Sequence, residues 1–389
     1  MKEIYLDNSA TTPLSARVKE AMLGAMELSG NPSSLHPAGQ AAARMVETAR
    51  RQVAASLGLR GTPTAGQIIF TSCGSEADSL AIIGSAYAKA RRRGMKIITT
   101  DAEHSAVEKP LAELEKQGFT VERIATHGGV LDMEQYRRAL DDRVFLVTMM
   151  MVNNETGAHF DVARAFAMAK RKNPDIVTHT DAIQGYLKLP FTPQALQADL
   201  VSISGHKIHA PKGVGALYVS TDALRRRDIV PLLLGGGQEA GFRSGTENVV
   251  GIAGLGAAAE EGYASLRANM AHTAHLRDLA EERLAALSVK INRPMGARAP
   301  HILHLTLPDI RSETMLHELS QSGICVSAGS ACSAHSNALS RALVAFGLRR
   351  GEIESGLRIS FSAYNTEADV DALVAAMAAA IERLVRAHR

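Results

Sequence analysis

The sequence lacks long apolar runs, carries little net charge and contains few cysteines. No window approaches the ~18 consecutive apolar residues of a membrane-spanning helix, so a membrane protein is not expected. The formal net charge is +3 over 389 residues, which argues against a nucleic-acid-binding surface. The opening MKEIYLDNSATTP carries charge and a proline, and is not typical of a secretory signal. A globular chain with more than one domain is therefore predicted.

Cysteine and histidine do not form metal-binding or disulfide patterns. The three cysteines, Cys73, Cys325 and Cys332, are an odd number without paired spacing, so a reduced, cytoplasmic chain is expected. The spacing from His206 to His209 lacks a third ligand. No metal site is predicted.

Short apolar runs alternate with longer amphipathic stretches along the first part of the chain. The runs predicted as strands are GQIIFTS, KIITTD, FTVERI, RVFLVTMM, DIVTHTD and ADLVSIS. Helices are predicted between them, including 75–93, 107–117 and 162–172. This alternation is typical of an α/β fold with a largely parallel sheet, in which ligands bind at the carboxyl ends of the strands.

The rest of the chain predicts a smaller α/β lobe. Residues 247–287 keep a helical pattern that is long for one helix, so a connection into the second lobe, continuous or broken, is predicted there. The strands HILHLTL, GICVS and GLRISFS follow, with helices around 312–322 and 336–346. Thr366 and Asp369 would form a capping box at the last helix, which starts at Glu367.

The first strand end that carries candidate binding residues is CGSEAD, after IIFTS. Gly74 lets the backbone approach a ligand, and Ser75 is expected to cap the following helix with Asp78 three residues on. A helix N-terminus with a hydroxyl group is a ready anion site. A capped helix without a ligand is the alternative for this motif taken alone.

A second strand end carries a carboxylate. Asp181 follows an apolar strand, and Gln184 lies one turn further on in DAIQG. Burying that carboxylate requires a cationic partner, which is either a protein Lys or Arg or the protonated ring nitrogen of a cofactor.

The third strand end holds Lys207, between ADLVSIS and GVGALYV. A buried lysine can have a lowered pKa and form a Schiff base. His206 and Ser204 offer donors for a phosphate group. Lys207, Asp181 and an anion site at Ser75 together are what pyridoxal phosphate requires.

Nine segments spread over nearly the whole chain match the motifs of one family in order. They are YLDNSATTP, TSCGSEADSLAI, DAEHSAV, MVNNETG, HTDAIQG, SGHKIHAPKGVGALYV, GGGQEAGFRSGTEN, SAGSACSAHS and LRISFSAYNTEAD. On these segments the chain resembles the cysteine desulfurases of the NifS/IscS group, which belong to the class V aminotransferase family of fold-type I pyridoxal-phosphate enzymes. The resemblance implies a large pyridoxal-phosphate-binding domain over 15–255, with a mostly parallel sheet. It also implies a smaller α/β domain over 1–14 and 256–389.

The resemblance also implies a role for each matching residue. The implied cofactor contacts are Lys207 as the Schiff-base lysine, Asp181 on the pyridine nitrogen, Gln184 on the ring hydroxyl, His104 stacked over the ring, and Ser75, Ser204 and His206 on the phosphate. Thr246 would reach the phosphate bound to the partner subunit, which implies a homodimer. Asn154 and Arg358 would bind the substrate carboxylate, which the planar fork of an arginine matches in two bonds.

The reaction of the family converts L-cysteine to L-alanine and leaves the sulfur as a persulfide on an enzyme cysteine. Cys332 lies in SAGSACSAHSN, which is small and polar throughout and typical of an exposed loop. Cys325 lies in an apolar strand and is expected in the core. Cys73 is a neighbour of the phosphate site. Cys332 is therefore predicted as the nucleophile, with Lys207 taking the Cα proton and His104 assisting proton transfer.

The implied partners are L-cysteine, a second copy of the chain, and a sulfur-acceptor or iron–sulfur scaffold protein. Housekeeping members of the group carry a longer C-terminal tail than this sequence, and that tail docks the scaffold. Whether this protein docks a scaffold therefore stays open. The pathway that receives the sulfur stays open as well. The alternatives are an aminotransferase or selenocysteine lyase, a sulfur carrier without turnover, and a nucleic-acid binder. Lys207, His104 and Arg358 argue against a carrier without turnover.

Overall fold

The computed structural model describes residues 3–89, 94–328 and 339–387. In these ranges the strands are β1 (Ile4–Tyr5), β2 (Ile68–Thr71), β3 (Lys96–Thr100), β4 (Thr120–Ile124), β5 (Val144–Thr148), β6 (Val177–Asp181), β7 (Leu200–Ser204), β8 (Gly215–Val219), β9 (Lys290–Ile291), β10 (Ile302–Thr306), β11 (Ile324–Cys325), β12 (Ser327–Ala328) and β13 (Gly356–Ser360). The helices are α1 (Ala16–Met26), α2 (Pro37–Ser56), α3 (Gly74–Lys89), α4 (Ser105–Lys116), α5 (Met133–Ala139), α6 (Val162–Lys172), α7 (Pro193–Leu196), α8 (Thr221–Arg226), α9 (Val249–Ala264), α10 (Leu266–Leu284), α11 (Ser312–Gln321), α12 (Arg341–Ala345), α13 (Arg350–Glu354) and α14 (Glu367–Ala387). None of these helices combines the length and hydrophobicity of a membrane span.

The larger sheet has seven strands in the order β2-β8-β7-β6-β5-β3-β4. The neighbours from β7 to β4 pair in parallel, whereas β8 runs antiparallel to both β7 and β2. The predicted α/β fold with a largely parallel sheet is therefore confirmed. Parallel neighbours place the carboxyl ends of β3, β5, β6 and β7 at one edge of the sheet, which is where the polar strand-end residues meet.

Helices bury both faces of this sheet, which explains the continuous apolar strands. Successive side chains of a strand point to opposite faces. Leu146 therefore packs in the cluster of α3 with Leu80, whereas the adjacent Val147 packs with Phe166 of α6. A strand between two helical layers has no solvated face and needs no polar alternation.

The second sheet has four antiparallel strands in the order β12-β13-β10-β9. Its core brings α10, α11 and α14 against the strands through Leu276, Met315, Leu373, Leu305 and Leu357. The start of the chain joins this side, because β1 pairs in parallel with β11. The boundaries at 15–255, 1–14 and 256–389 stay a prediction.

Two local predictions of the second lobe are confirmed. The helical stretch over 247–287 is broken at Ser265, which separates α9 from α10. Thr366 and Asp369 exchange bonds at the start of α14: Thr366 N–H donates to Asp369 Oδ2 at 2.9 Å, and Asp369 N–H donates to Thr366 Oγ1 at 3.3 Å.

Cys325 differs from its prediction. It is only half-buried, because the two-residue β11 pairs with the equally short β1 and is not enclosed by a larger sheet. Burial still raises the pKa of its thiol, and the charges of Glu3 and Asp7 add to that effect. Cys332 lies outside the described residues.

Residues 6–12 run between the two sheets. Ser9 N–H donates to Ser360 Oγ at 2.8 Å, at the end of β13. Asn8 Nδ2 donates to the Ser360 carbonyl at 2.9 Å, and Thr12 N–H donates to the carbonyl of His206, beyond β7, at 2.8 Å. This segment therefore ties the end of β13 to the edge of the larger sheet.

We expect Ser360→Ala to destabilise the protein, because it leaves the buried Ser9 N–H without its acceptor. The unfolding free energy should fall by about 1–3 kcal/mol, measured by urea denaturation. Ser85→Ala is the matched control, since Ser85 Oγ is buried without a hydrogen-bond partner among the described residues. Equal losses in the two variants would show that the Ser9 contact contributes nothing specific.

Candidate active site

A cavity of about 640 Å³ opens at the carboxyl edge of the larger sheet. Ten residues that the sequence predicted for the site line it: Gly74, Ser75, His104, Asn154, Asp181, Gln184, Ser204, His206, Lys207 and Arg358. Thr246 does not line it and is exposed in the loop after Gly245. Cys332 lies outside the described residues, but Leu339 to Ala342, which follow it in the chain, form part of the cavity wall.

One end of the cavity combines a tight backbone approach with an unpaired hydroxyl. A Cβ atom at Gly74 would lie 2.3 Å from Ile183 Cδ1 and 3.2 Å from Ser204 Cβ, so only glycine fits without a shift. Ser204 Oγ is buried and has no hydrogen-bond partner among the described residues. The N-terminus of α3 adds backbone N–H groups that no carbonyl of its own helix can accept. This end of the cavity is suited to an anion.

The cap predicted at this helix is wrong in detail. The helix α3 begins at Gly74, so Ser75 lies inside its first turn and is not the cap. Asp78 is completely buried and faces the sheet. Ser75 and Asp78 therefore do not form a capping pair, because Asp78 is packed against His179 of β6.

Asp181 ends β6 and is 6% exposed. Its Oδ1 accepts the N–H of Ile183 at 2.9 Å. Burial raises the pKa of this carboxyl above its ordinary value, while the Ile183 bond and the positive charge of Lys207 oppose that shift. A cation in the cavity beside Asp181 would therefore stabilise the carboxylate, and the carboxylate would stabilise the cation.

Lys207 lies in the short turn Gly205–Lys207 that follows β7. Its Nζ donates to the carbonyl oxygens of Ser9 at 2.6 Å and Ala10 at 2.7 Å. Its neighbour His206 pairs through Nδ1 with Thr11 Oγ1 at 3.2 Å. Burial lowers the pKa of His206 to about 4, helped by the charges of Lys207 and Lys212, so this ring is neutral.

Two further side chains border the cavity, Gln184 after β6 and His104 after β3. Gln184 Nε2 donates to the Ser9 carbonyl at 2.9 Å, and its Oε1 pairs with His301 Nε2 at 3.3 Å. His104 caps α4, because its Nδ1 accepts the N–H of Ala106 at 3.1 Å. The accepting Nδ1 fixes the plane of the His104 ring at the cavity wall.

The two residues predicted to bind a carboxylate lie together. Arg358 is 2% exposed; its Nη1 donates to the Asn154 carbonyl at 2.9 Å and its Nη2 to Asp7 Oδ1 at 2.8 Å. Arg358 Nε is buried without a partner among the described residues. The guanidinium group is therefore held firmly through two of its five N–H donors.

The sequence did not single out two buried carboxyl groups of the cavity, Glu103 and Glu155. Glu155 Oε1 accepts from Ser340 Oγ at 2.8 Å, and burial raises the pKa of Glu155 to about 7. Glu103 accepts the N–H of Met150, and burial raises the pKa of Glu103 to about 8. Both glutamates adjoin residues that were predicted, His104 and Asn154, and this adjacency is the signal that could have found them.

The comparisons with known proteins agree with this geometry. The family model of class-V aminotransferases matches residues 4–373. The cysteine desulfurase of Trichormus azollae is 40% identical over 388 residues, which cover 99% of this chain and 94% of the relative. The chain belongs to the class-V aminotransferase family. The family resemblance predicted from the motifs is thereby confirmed.

Solved structures of this family share the fold. A NifS-like protein has a TM-score of 0.90 at 35% identity, over 98% of this chain and 100% of its own. The structure described as SspA in complex with cysteine has a TM-score of 0.78 at 31% identity, over 94% of this chain and 100% of its own. The predicted fold-type I architecture is thus confirmed as well.

Glu155→Gln should change the pH dependence of stability. The folded pKa of about 7 lies above the ordinary value of 4.5, so the folded state keeps a proton that the unfolded state loses. Stability is therefore lost as the pH rises from 4.5 to 7, and the variant lacks this loss. Unfolding free energies of both proteins, measured by urea denaturation across this window, should diverge in favour of the variant as the pH rises.

The same substitution at the exposed Glu27 controls for the change of side chain. If Glu155→Gln and the wild type keep a constant difference over the whole window, the folded state does not hold a proton on Glu155.

Proposed function

We propose that this protein is a pyridoxal-phosphate-dependent cysteine desulfurase, which converts L-cysteine to L-alanine and holds the sulfur as a persulfide on Cys332. One observation carries the proposal: Lys207, Asp181 and the unpaired hydroxyl of Ser204 converge on one cavity. The family membership and the names of the relatives support it.

The residues of the cavity fit pyridoxal phosphate. Its phosphate suits the end formed by Gly74, Ser75 and Ser204, where the backbone approaches closely and a buried hydroxyl lacks a partner. Asp181 would bind the ring nitrogen, and Lys207 would hold the aldehyde carbon through its amine. When bound, the cofactor supplies an electron sink for the electrons released at the substrate Cα.

Asp181 holds a proton on the cofactor's ring nitrogen. A buried carboxylate without a cation is costly, and its raised pKa reflects that cost. A protonated ring nitrogen provides the missing positive charge, so cofactor binding and ionisation of Asp181 stabilise each other.

Lys207 takes the proton from the substrate Cα. Its amine reaches into the cavity beside the Ser9 and Ala10 carbonyls. Those carbonyls orient the ammonium group after it has accepted the proton. Ser9 and Ala10 therefore serve the base through backbone atoms only, and side-chain motifs could not reveal them.

Arg358 and Asn154 bind the substrate carboxylate. Arg358 is held against Asp7 and the Asn154 carbonyl, and these bonds use only two of its five N–H donors. Charge-assisted bonds from a fixed guanidinium orient the substrate with its Cα towards Lys207. His104, which also lines the cavity, would stack on the ring and assist proton transfer at the substrate sulfur.

Cys332 is the sulfur acceptor. Its thiolate forms a sulfur–sulfur bond with the substrate sulfur, the Cβ–S bond breaks with its electron pair left on Cβ, and Cβ then takes a proton to give alanine. Ser340 lies at the cavity wall eight residues after Cys332.

We further propose a homodimer in which Thr246 contributes to the phosphate site of the partner subunit. Thr246 is exposed and does not line the cavity of its own chain among the described residues, which suits a contact with another copy. A sulfur-acceptor protein would receive the persulfide sulfur. The odd number of cysteines favours a reducing compartment, and the cytoplasm is the proposed location.

The test of the function is incubation with L-cysteine, with alanine and sulfide measured together under reductant. Wild-type protein should form both in equal amounts. Cys332→Ala should lose turnover by two orders of magnitude or more, since no acceptor remains for the sulfur, while it keeps its bound cofactor. Mass spectrometry after one turnover should find one added sulfur on the peptide that holds Cys332.

Cys325→Ala and Cys73→Ala are the matched controls, and both should retain most of the activity. The added sulfur on Cys325, or wild-type rates in Cys332→Ala, would overturn the desulfurase function. Transamination of another amino acid, without sulfide, would favour the aminotransferase alternative.

Ser204→Ala should weaken cofactor binding without weakening the fold. Ser204 Oγ has no partner to lose among the described residues, so the unfolding free energy of the cofactor-free protein should change by less than about 0.5 kcal/mol. The dissociation constant of pyridoxal phosphate should rise roughly tenfold or more, because a bond to a charged phosphate is lost. Spectrophotometric titration measures this constant.

Ser85→Ala is again the control, as its hydroxyl is equally unpaired but lies outside the cavity. An unchanged dissociation constant in Ser204→Ala would remove Ser204 from the phosphate site.

A further inference from the structure

His301 contacts Gln184 and lies outside the predicted site residues. It is completely buried, directly before β10 of the second sheet. Its Nε2 lies 3.3 Å from Gln184 Oε1, and Gln184 Nε2 lies 2.9 Å from the Ser9 carbonyl. Neither the motifs nor the family resemblance drew attention to His301.

The orientation of the Gln184 amide follows from its second partner, the Ser9 carbonyl. A backbone carbonyl can only accept a hydrogen bond, so the group facing Ser9 must be the NH2 of Gln184. The group that faces His301 is then the amide oxygen, which also only accepts. His301 must therefore be the donor.

The protonation state of His301 agrees with this role. Burial, together with the positive charges of Lys188, Arg277 and Arg358, lowers the pKa of His301 well below its ordinary value. The neutral ring has one N–H, and it lies on Nε2 because that atom faces Gln184. The other nitrogen, Nδ1, is buried without a partner among the described residues, so no bond there competes for the proton.

The Ser9 carbonyl that orients Gln184 is itself fixed. It also accepts Lys207 Nζ at 2.6 Å, and Ser9 N–H donates to Ser360 Oγ at 2.8 Å. His301 and Ser9 thus hold the two ends of one amide. One hydrogen of the Gln184 NH2 group is used by Ser9, and the second is available to the cavity that Gln184 lines.

We propose that His301 is a positioning residue that fixes the Gln184 amide, so that its second N–H donates to the ring hydroxyl oxygen of the cofactor. The proposal rests on the proposed function, because the acceptor belongs to pyridoxal phosphate. Without His301, the Gln184 oxygen is unpaired in a buried site and the amide is held only through its bond to the Ser9 carbonyl, which weakens its bond to the cofactor.

The experiment compares three variants of the holoenzyme. His301→Met fills the space without a donor, His301→Gln places a donor near the position of Nε2, and His301→Asn places one near the position of Nδ1. His301→Met should raise the dissociation constant of the cofactor about fivefold and shift the absorption maximum of the bound cofactor. His301→Gln should restore both values, and His301→Asn should not.

Two controls separate positioning from general stability. His304→Met alters another completely buried histidine of the same region, whose Nδ1 pairs with Asn292, and it should leave the absorption maximum unchanged. In a Gln184→Met background, His301→Met should have no further effect, because the residue through which His301 acts is gone.

Wild-type constants and spectra in both His301→Met and His301→Asn would overturn the positioning role, while the proposed function would stand. Equal effects of His301→Met with and without Gln184 would also overturn it. If His301→Met does not fold, the comparison of the Gln and Asn variants decides whether a donor near the position of Nε2 is required, since both variants keep a polar amide. A wild-type protein that binds no pyridoxal phosphate would instead overturn the proposed function itself.

Discussion

The backbone carbonyl of Ser9 is the acceptor on which the geometry of the cavity depends. It receives Lys207 Nζ at 2.6 Å and Gln184 Nε2 at 2.9 Å, and these two donors use both of its lone pairs. Ser9 N–H is held by Ser360 at the end of β13. Lys207 and Gln184 follow neighbouring strands of the larger sheet, so the turn that contains Ser9 connects that sheet to the second one. The cavity exists because this connection holds.

Buried carboxyl groups give the cavity its electrostatic character. Burial raises the pKa values of Asp181, Glu103 and Glu155, and it does the same for Asp78 behind them. Such groups are costly as anions unless positive charge is near. A ligand that brings a protonated ring nitrogen to Asp181 offsets part of this cost, which couples cofactor binding to the stability of the protein. The buried carboxyl groups of the cavity and the proposed cofactor thus belong to one electrostatic arrangement.

Several parts of this arrangement were accessible from the sequence because they depend on local rules. Apolar runs between helical stretches predicted the parallel sheet, and polar residues directly after those runs predicted Asp181 and Lys207 at one edge. Other parts depend on contacts between residues that are far apart in the sequence. Glu155 meets Ser340 and Gln184 meets His301 across more than one hundred residues, and no periodicity encodes such contacts. The cap expected from Ser75 and Asp78 was wrong for the same reason, since packing against the sheet turned Asp78 inward.

The sequence by itself determined the α/β alternation of strands and helices, the family, and several of the side chains that lie at strand ends. These follow from hydrophobic periodicity and from motifs, which are local properties of the chain. Only the tertiary structure decided which atoms pair there, such as Lys207 with the Ser9 carbonyl and Gln184 with His301. It also decided that Cys325 is only half-buried. Backbone carbonyls carry no side-chain signature, and the direction of a buried amide is set by the donors and acceptors that folding brings to its two sides.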